Sequence, residues 1–347
     1  MSDFDEEGEE DRGDPDQEGE EDTFEPPLSD CVKLDMPRPI CRKEQEQQEQ
    51  IDPGRIPGEP LKTLLSALFL GAGFLATTIS LAFTHERVPE TNPLPDLLLD
   101  HVKYQEWGLD VSEVLLMLNT SAAVVVVMLH SHRTILLRRI WLILGLLYFY
   151  RAVTMCVTVL PKADKTYTCM PKKNETSAMM YVKRMLTIIS GGGLSISGKH
   201  VFCGDYIFSG HTMTLTLGYL VIKQYSPKNF VLLHRASFIS AVIGVILLLL
   251  ARGHYTIDVL LAYYVSSRLW WVYHTLAHND TLKRPGPHNL LTHLWWWTVF
   301  SFFETKTRGP LPNQFNLPLP QRLKRFLKAK ICRQGVRDKG VLPRHFK

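Results

Sequence analysis

The 347-residue chain has six cysteines, yet none form a CxxC pair or a zinc-ligand spacing, which leaves no structural zinc site or dithiol redox centre to anchor a function. No nucleic-acid-binding motif is present. The N-terminus lacks an early apolar core, so a cleavable signal peptide is not expected, and the first apolar span would itself act as the targeting signal. Bases are nearly absent from residues 1–25, where Arg12 stands alone in a run of Asp and Glu. Apolar residues are too sparse up to about residue 58 to offset the entropy of ordering, so 1–58 reads as a disordered acidic tail.

Against the net charge of +4 for the whole chain, that acidic start makes the remainder clearly basic, which suits an anionic lipid surface. The hydrophobic residues, 45% of the total, concentrate in the middle. Six segments approach the ~20 residues a helix needs to cross ~30 Å of hydrocarbon. They run over Leu61–Phe83, Val111–Leu129, Ile140–Leu160, Tyr206–Ile222, Ala236–Leu250 and Thr256–Tyr273. The expected fold is all-α: a polytopic membrane protein with six transmembrane helices, built as an acidic cytosolic tail (1–58), a membrane domain (59–280) and a basic, aromatic interfacial tail (281–347).

Orientation follows from the short loops. Arg133, Arg138 and Arg139 in one, and Lys223, Lys228 and Arg235 in another, put those loops and both termini in the cytosol. Loops 84–110, 161–205 and 251–255 then face the exoplasm. The sequon Asn174-Glu175-Thr176 suits that side, although the lysines of 161–205 run against the rule. Cys169 and Cys203 share this loop, where a disulfide and two free thiols both remain open. Trp295, Trp296 and Trp297 ahead of the basic stretch Arg322–Lys330 match a membrane interface, and Cys332 beyond it is a site for palmitoylation or an unmodified thiol.

This topology brings three chemical groups to one depth. His211 opens the fourth span, while His254 and Asp258 flank the turn into the sixth. Residues four apart share a helix face, so Asp258 can hold the His254 ring in one tautomer. Ionisable groups at a bilayer edge are costly and normally face a cavity, so two histidines and a carboxylate together are hard to explain as packing. The other histidines stay outside this set: His130, His132, His234, His274 and His278 fall on the cytosolic side, His85 and His101 in the first exoplasmic loop, and the rest mostly in tails. Arg151, inside the third span, is a candidate phosphate ligand. The alternative for it is a structural ion pair with Asp110 or Glu113.

The segments Cys203–Thr212 and His254–Tyr264 resemble the two catalytic motifs of the sphingomyelin synthase family, which is related to the lipid phosphate phosphatases. Pro93-Leu94-Pro95-Asp96, Arg151-Ala152-Val153-Thr154-Met155 after Tyr148 and Tyr150, Gly191-Gly192-Gly193-Leu194-Ser195 and Tyr225-Ser226-Pro227 resemble further motifs of that family. The likeness runs from about residue 60 to the C-terminal region. It implies transfer of phosphocholine from phosphatidylcholine to the primary hydroxyl of ceramide, with release of diacylglycerol. By analogy with the phosphatases, His254 is the nucleophile that forms a phosphohistidine, Asp258 orients it, and His211 is the acid and then the base. Asp205, Ser209 and Tyr255 join Arg151 as candidate substrate-binding residues. No metal or other cofactor is expected. The partners are the lipids and the membrane, with a homo-oligomer left open, and the location is the Golgi or plasma membrane.

Two departures stand out. Leu248 occupies the place, six before the second histidine, where the phosphatases carry Arg, and their Lys-x6-Arg-Pro signature is missing. Gly253 replaces the acidic residue that family members carry immediately before that histidine, which opens phosphoethanolamine from phosphatidylethanolamine as the alternative head group. A lipid phosphate phosphatase and a non-catalytic lipid transporter or scaffold are the remaining alternatives.

Overall fold

Long Leu, Ile, Val and Phe runs leave a chain in hydrocarbon few ways to satisfy its backbone, and helix is the one that needs no neighbour. The computed structural model describes residues 59–165, 169–172, 177–191, 202–286, 288–307 and 309–315, all within the compact unit Ile56–Lys347. Its helices are α1 Pro60–Arg87, α2 Trp107–Leu129, α3 Arg133–Val157, α4 Ala178–Gly191, α5 Gly210–Tyr225, α6 Val231–Leu250, α7 Thr256–His278 and α8 Trp297–Glu304, with a 3-10 turn at Leu290–His293. Among the described residues there is no strand, only an isolated bridge between His130 and Phe315.

Four helices, α1, α2, α3 and α6, are long and apolar enough to cross a membrane, against the six spans expected. The other two expected spans coincide with α5 and α7. The 16 residues of α5 fall short of the ~20 a span requires, because Tyr206–Ser209 forms an approach loop rather than a first turn. The 23 residues of α7 are long enough, but Asp258, Ser266, Ser267, Arg268 and His274 dilute its hydropathy. Leu68, Leu75, Leu118, Val125, Val153, Val157, Leu232, Ile239 and Ile246 stand exposed on the four apolar helices. Apolar surface of this extent suits lipid, not water, and the chain is a membrane protein.

Small residues let the helices approach. A Cβ on Gly73 of α1 would lie 2.7 Å from the Gly145 carbonyl of α3, so this crossing needs glycine. Thr77 Oγ1 donates to Tyr148 O (2.8 Å) and Ser80 Oγ to Ala152 O (3.0 Å), which ties α1 to α3. Asn119 of α2 donates to Leu215 O of α5 (3.0 Å) and accepts from Ser237 of α6 (2.6 Å), joining three helices at one buried amide. At the end carrying the loop 130–132, α8 folds back onto the bundle. Glu304 takes two bonds from the buried Arg139 guanidinium (2.9 and 2.7 Å) and one from Tyr273 (3.0 Å). Trp296 is buried against Tyr273 and Phe300, while its neighbour Trp295 is exposed.

The opposite end is stapled by a Cys169–Cys203 disulfide, which settles the open pairing. The His85 ring braces it: Cys203 N–H donates to Nδ1 (3.0 Å), and Nε2 bonds Met170 O (3.1 Å). Helix α4, not anticipated in this loop, is held by an ion pair between Arg184 and Glu86. The acidic tail, the sequon at Asn174, the glycines after Gly191, Arg322–Lys330 and Cys332 lie outside the described residues.

Candidate active site

Two helix starts meet at the disulfide-stapled end. Ser209 caps α5, its hydroxyl accepting from Thr212 N–H (3.3 Å), and its own N–H donates to the Asp258 carbonyl (3.3 Å). That cross-tie joins the α5 start to the α7 start and brings the His211 and His254 rings to 6.1 Å between centroids. The sequence-predicted trio is therefore assembled, since Asp258 Oδ2 lies 3.8 Å from His254 Nδ1. That separation is a charge contact beyond hydrogen-bonding range. Oδ2 meanwhile accepts the Tyr255 N–H (3.1 Å), which fixes the carboxylate.

His254 is buried at 4% exposure, packed edge-to-face on Tyr206. Burial holds its imidazole below the ordinary histidine range, outweighing the opposite pull of Asp258, and His211 and Arg151 push the same way as burial. A neutral ring keeps a lone pair, which is the form a nucleophile needs.

Arg151 reaches this cluster from α3. Its Nε donates to Phe208 O (3.0 Å), and the guanidinium pairs with Asp205. The expected alternative of a pair with Asp110 or Glu113 is thus corrected, because the Cys203–Ser209 loop brings Asp205 to it first. A Cβ on Gly210 would sit 2.7 Å from Arg151 Nη1, so glycine here lets the guanidinium lie beside the N-terminus of α5. A guanidinium next to unpaired helix N–H groups is an arrangement that binds phosphate.

Glu113 of α2, which entered the sequence analysis only as an alternative partner of Arg151, stands beside His211. It is fully buried, with Oε1 3.3 Å from His211 Nε2. An acid inside the second span was the available signal, but no spacing in the sequence links it to His211.

The turn carrying His254 is also held from outside. Asp96 accepts from Thr256 N–H (2.7 Å) and Thr256 Oγ1 (2.6 Å), capping α7 in trans. Burial alone would push the Asp96 carboxyl up, but these donors and the Leu98 and Leu99 N–H groups hold it below the usual range. Arg252 takes a left-handed backbone (φ 49°) and donates to Asp164 (2.8 Å) and to the Leu99 and Val102 carbonyls (2.9 Å each). The Tyr255 hydroxyl accepts the Leu94 N–H (3.1 Å) and faces the Pro161 and Lys162 carbonyls. Tyr255 is thereby turned to the loops, Ser209 is spent as a cap, and Asp205 is the partner of Arg151. Among the described residues, no group of three or more His, Cys, Asp or Glu is arranged to hold a metal ion.

A family model described as PAP2 superfamily C-terminal matches residues 202–275, the stretch from the Cys203 loop through both histidines and most of α7. Phosphatidylcholine:ceramide cholinephosphotransferase 2 of Homo sapiens is 40% identical over 268 residues, covering 76% of this chain and 73% of the relative. Phosphatidylcholine:ceramide cholinephosphotransferase 1 of Rattus norvegicus is 39% identical over 293 residues, covering 83% and 67%. The chain belongs to the sphingomyelin synthase family. Its membership accounts for the motif resemblances around both histidines, and the departures can be read against the fold. Gly253 N–H donates to Leu248 O (3.2 Å), closing α6, and a Cβ on Gly253 would meet the flexible tip of Leu248 at 3.3 Å. A larger residue therefore fits there with a small side-chain shift.

Proposed function

We propose that this sphingomyelin synthase family member transfers phosphocholine from phosphatidylcholine to the primary hydroxyl of ceramide, yielding sphingomyelin and diacylglycerol. The observation that carries the mechanism is the pairing of two histidines, each with its own carboxylate: His254 with Asp258 and His211 with Glu113. His254 turns Nδ1 to Asp258, so Nε2 attacks phosphorus while the bond to the diacylglycerol oxygen breaks. His211 protonates that leaving oxygen. In the return half, His211 takes the proton of the ceramide hydroxyl, its oxygen attacks phosphorus, and the N–P bond breaks. Arg151 and the α5 N-terminus hold the phosphate oxygens, with Asp205 yielding the guanidinium as the lipid enters. A two-step displacement lets one site serve two lipids in turn.

In this reading α5 and α7 complete six spans, with the bundle interior shielding Asp258, Ser266, Ser267 and His274 of α7 from lipid. Both termini are cytosolic and the histidines face the exoplasmic leaflet of the Golgi or plasma membrane. The basic loops 130–139 and 223–235 support that orientation. Gly253 opens one second reading, phosphoethanolamine as the transferred group, because family members carry an acid at this place beside the head group. Transfer to a fluorescent ceramide in liposomes of phosphatidylcholine, phosphatidylethanolamine or both decides between them. The expected product carries choline and disappears in His254→Ala. A product from phosphatidylethanolamine alone would assign the other head group, and phosphate release without ceramide product would assign a hydrolase.

A further inference from the structure

Helix α7 carries an arginine that the proposed chemistry does not use. Arg268 lies twelve residues beyond Thr256, about 18 Å along the axis and past the midpoint of a ~30 Å hydrocarbon core. It sits in the half of the bundle away from His211 and His254, and its side chain is exposed on the outer surface. The contacts described for its guanidinium are aromatic: it lies 4.8 Å from the Trp271 ring centre and 5.3 Å from that of Tyr264. Both rings are themselves exposed. A cation whose contacts are two ring faces keeps N–H donors for an anion.

Arg268 also closes one side of a cavity of about 400 Å³ between α3 and α7. That volume falls within the ~300–1,000 Å³ typical of small-molecule sites. Leu261, Val265, Leu269 and Val272 form its α7 wall, Leu294 and Trp296 border it, and Ile207 and Phe208 of the loop leading to His211 line it as well. An apolar groove with one lipid-facing cation at its rim has the polarity of a phospholipid, with the phosphate at the guanidinium and a chain in the groove. An unneutralised charge at this depth is expensive, and Arg151 shows how the same bundle treats one inside, by giving it Asp205. On the outer face, the membrane supplies the counter-charge.

We infer that Arg268 and the α3–α7 groove form a binding site for a glycerophospholipid of the leaflet opposite the histidines, read through its phosphate at the Arg268 rim of the groove. The test needs no turnover. The full chain in phosphatidylcholine nanodiscs is photolabelled with phosphatidylglycerol bearing a diazirine in one acyl chain, or with diacylglycerol bearing the same chain. Labelled peptides are then mapped, with α6 as the internal reference for general lipid contact. The phosphatidylglycerol probe is expected to label the 261–272 stretch above the α6 level, and Arg268→Gln to lower that excess about fivefold, with Arg268→Lys keeping more of it. The diacylglycerol probe should label this stretch less and should not respond to Arg268→Gln. If Arg268→Gln fails to fold, Leu261→Trp fills the groove with Arg268 in place and should remove the same labelling. Equal labelling by both probes, or labelling unchanged in Arg268→Gln or Leu261→Trp, would overturn the site.

Discussion

The Glu113 carboxylate lies 3.3 Å from Nε2 of His211, fully buried in the second apolar helix. Across the site, Asp258 stands against Nδ1 of His254. The two imidazoles thus face each other with a carboxylate behind each, an arrangement in which one ring can bond phosphorus while the other moves the proton.

The Glu113 contact predicts a specific loss. Donation from Nε2–H to Glu113 leaves Nδ1 of His211 to exchange the proton with the lipid oxygens. Glu113→Gln keeps the size but removes the charge, and transfer should fall by about 10²-fold, within the range ascribed to positioned acid–base groups. The fall should appear in kcat rather than KM. Wild-type turnover in a folded Glu113→Gln protein would remove Glu113 from the mechanism.

Asp96 should matter although it lies outside the histidine cluster. It takes both the N–H and the hydroxyl of Thr256. Asp96→Asn turns one acceptor oxygen into a donor, loosening the turn that aims His254, and up to about 10²-fold in kcat is expected from a misplacement of this kind. Thr256→Val should cost less in the Asp96→Asn background than alone, because the two act through one contact. Additive losses would mean the residues act independently.

Acidity provides a third handle. The His254 pKa is lowered, so its neutral, nucleophilic form is present at neutral pH and is lost only as pH falls through a value below the ordinary ~6.5. Transfer should therefore persist into mildly acidic conditions before declining. Asp258 pulls that pKa upward, so Asp258→Asn should slow transfer and move the acid limb to still lower pH. A limb that moves upward would contradict the assigned contact, and a pH–rate profile of both proteins distinguishes the outcomes.

Much of this site was legible before any coordinates, and what was missed has physical causes. His254 and Asp258 are four apart at one helix start, a spacing that fixes a shared face, and Arg151 announces itself as a charge inside an apolar run. Asp110 and Glu113 were its alternative partners, because the approach loop Cys203–Ser209 has no periodicity from which to see Asp205 arriving first. Helices α5 and α7 read as spans from their apolar content, yet one is short and the other diluted by polar residues, most of them turned to the bundle interior. Helix α4 was missed because it lies in a loop set off by lysines. The left-handed Arg252 and the trans cap by Asp96 depend on contacts some 150 residues apart, which no local pattern encodes.

The most direct test of the account is to trap the covalent intermediate. The full chain is mixed with phosphatidylcholine labelled in the phosphocholine group, without ceramide, quenched in alkali to preserve phosphohistidine, and digested for peptide mapping. The account predicts label on the peptide containing His254, absent in His254→Ala and discharged from the wild type as sphingomyelin when ceramide is added before the quench. Label on the peptide containing His211, or ceramide-dependent transfer retained in His254→Ala, would contradict it.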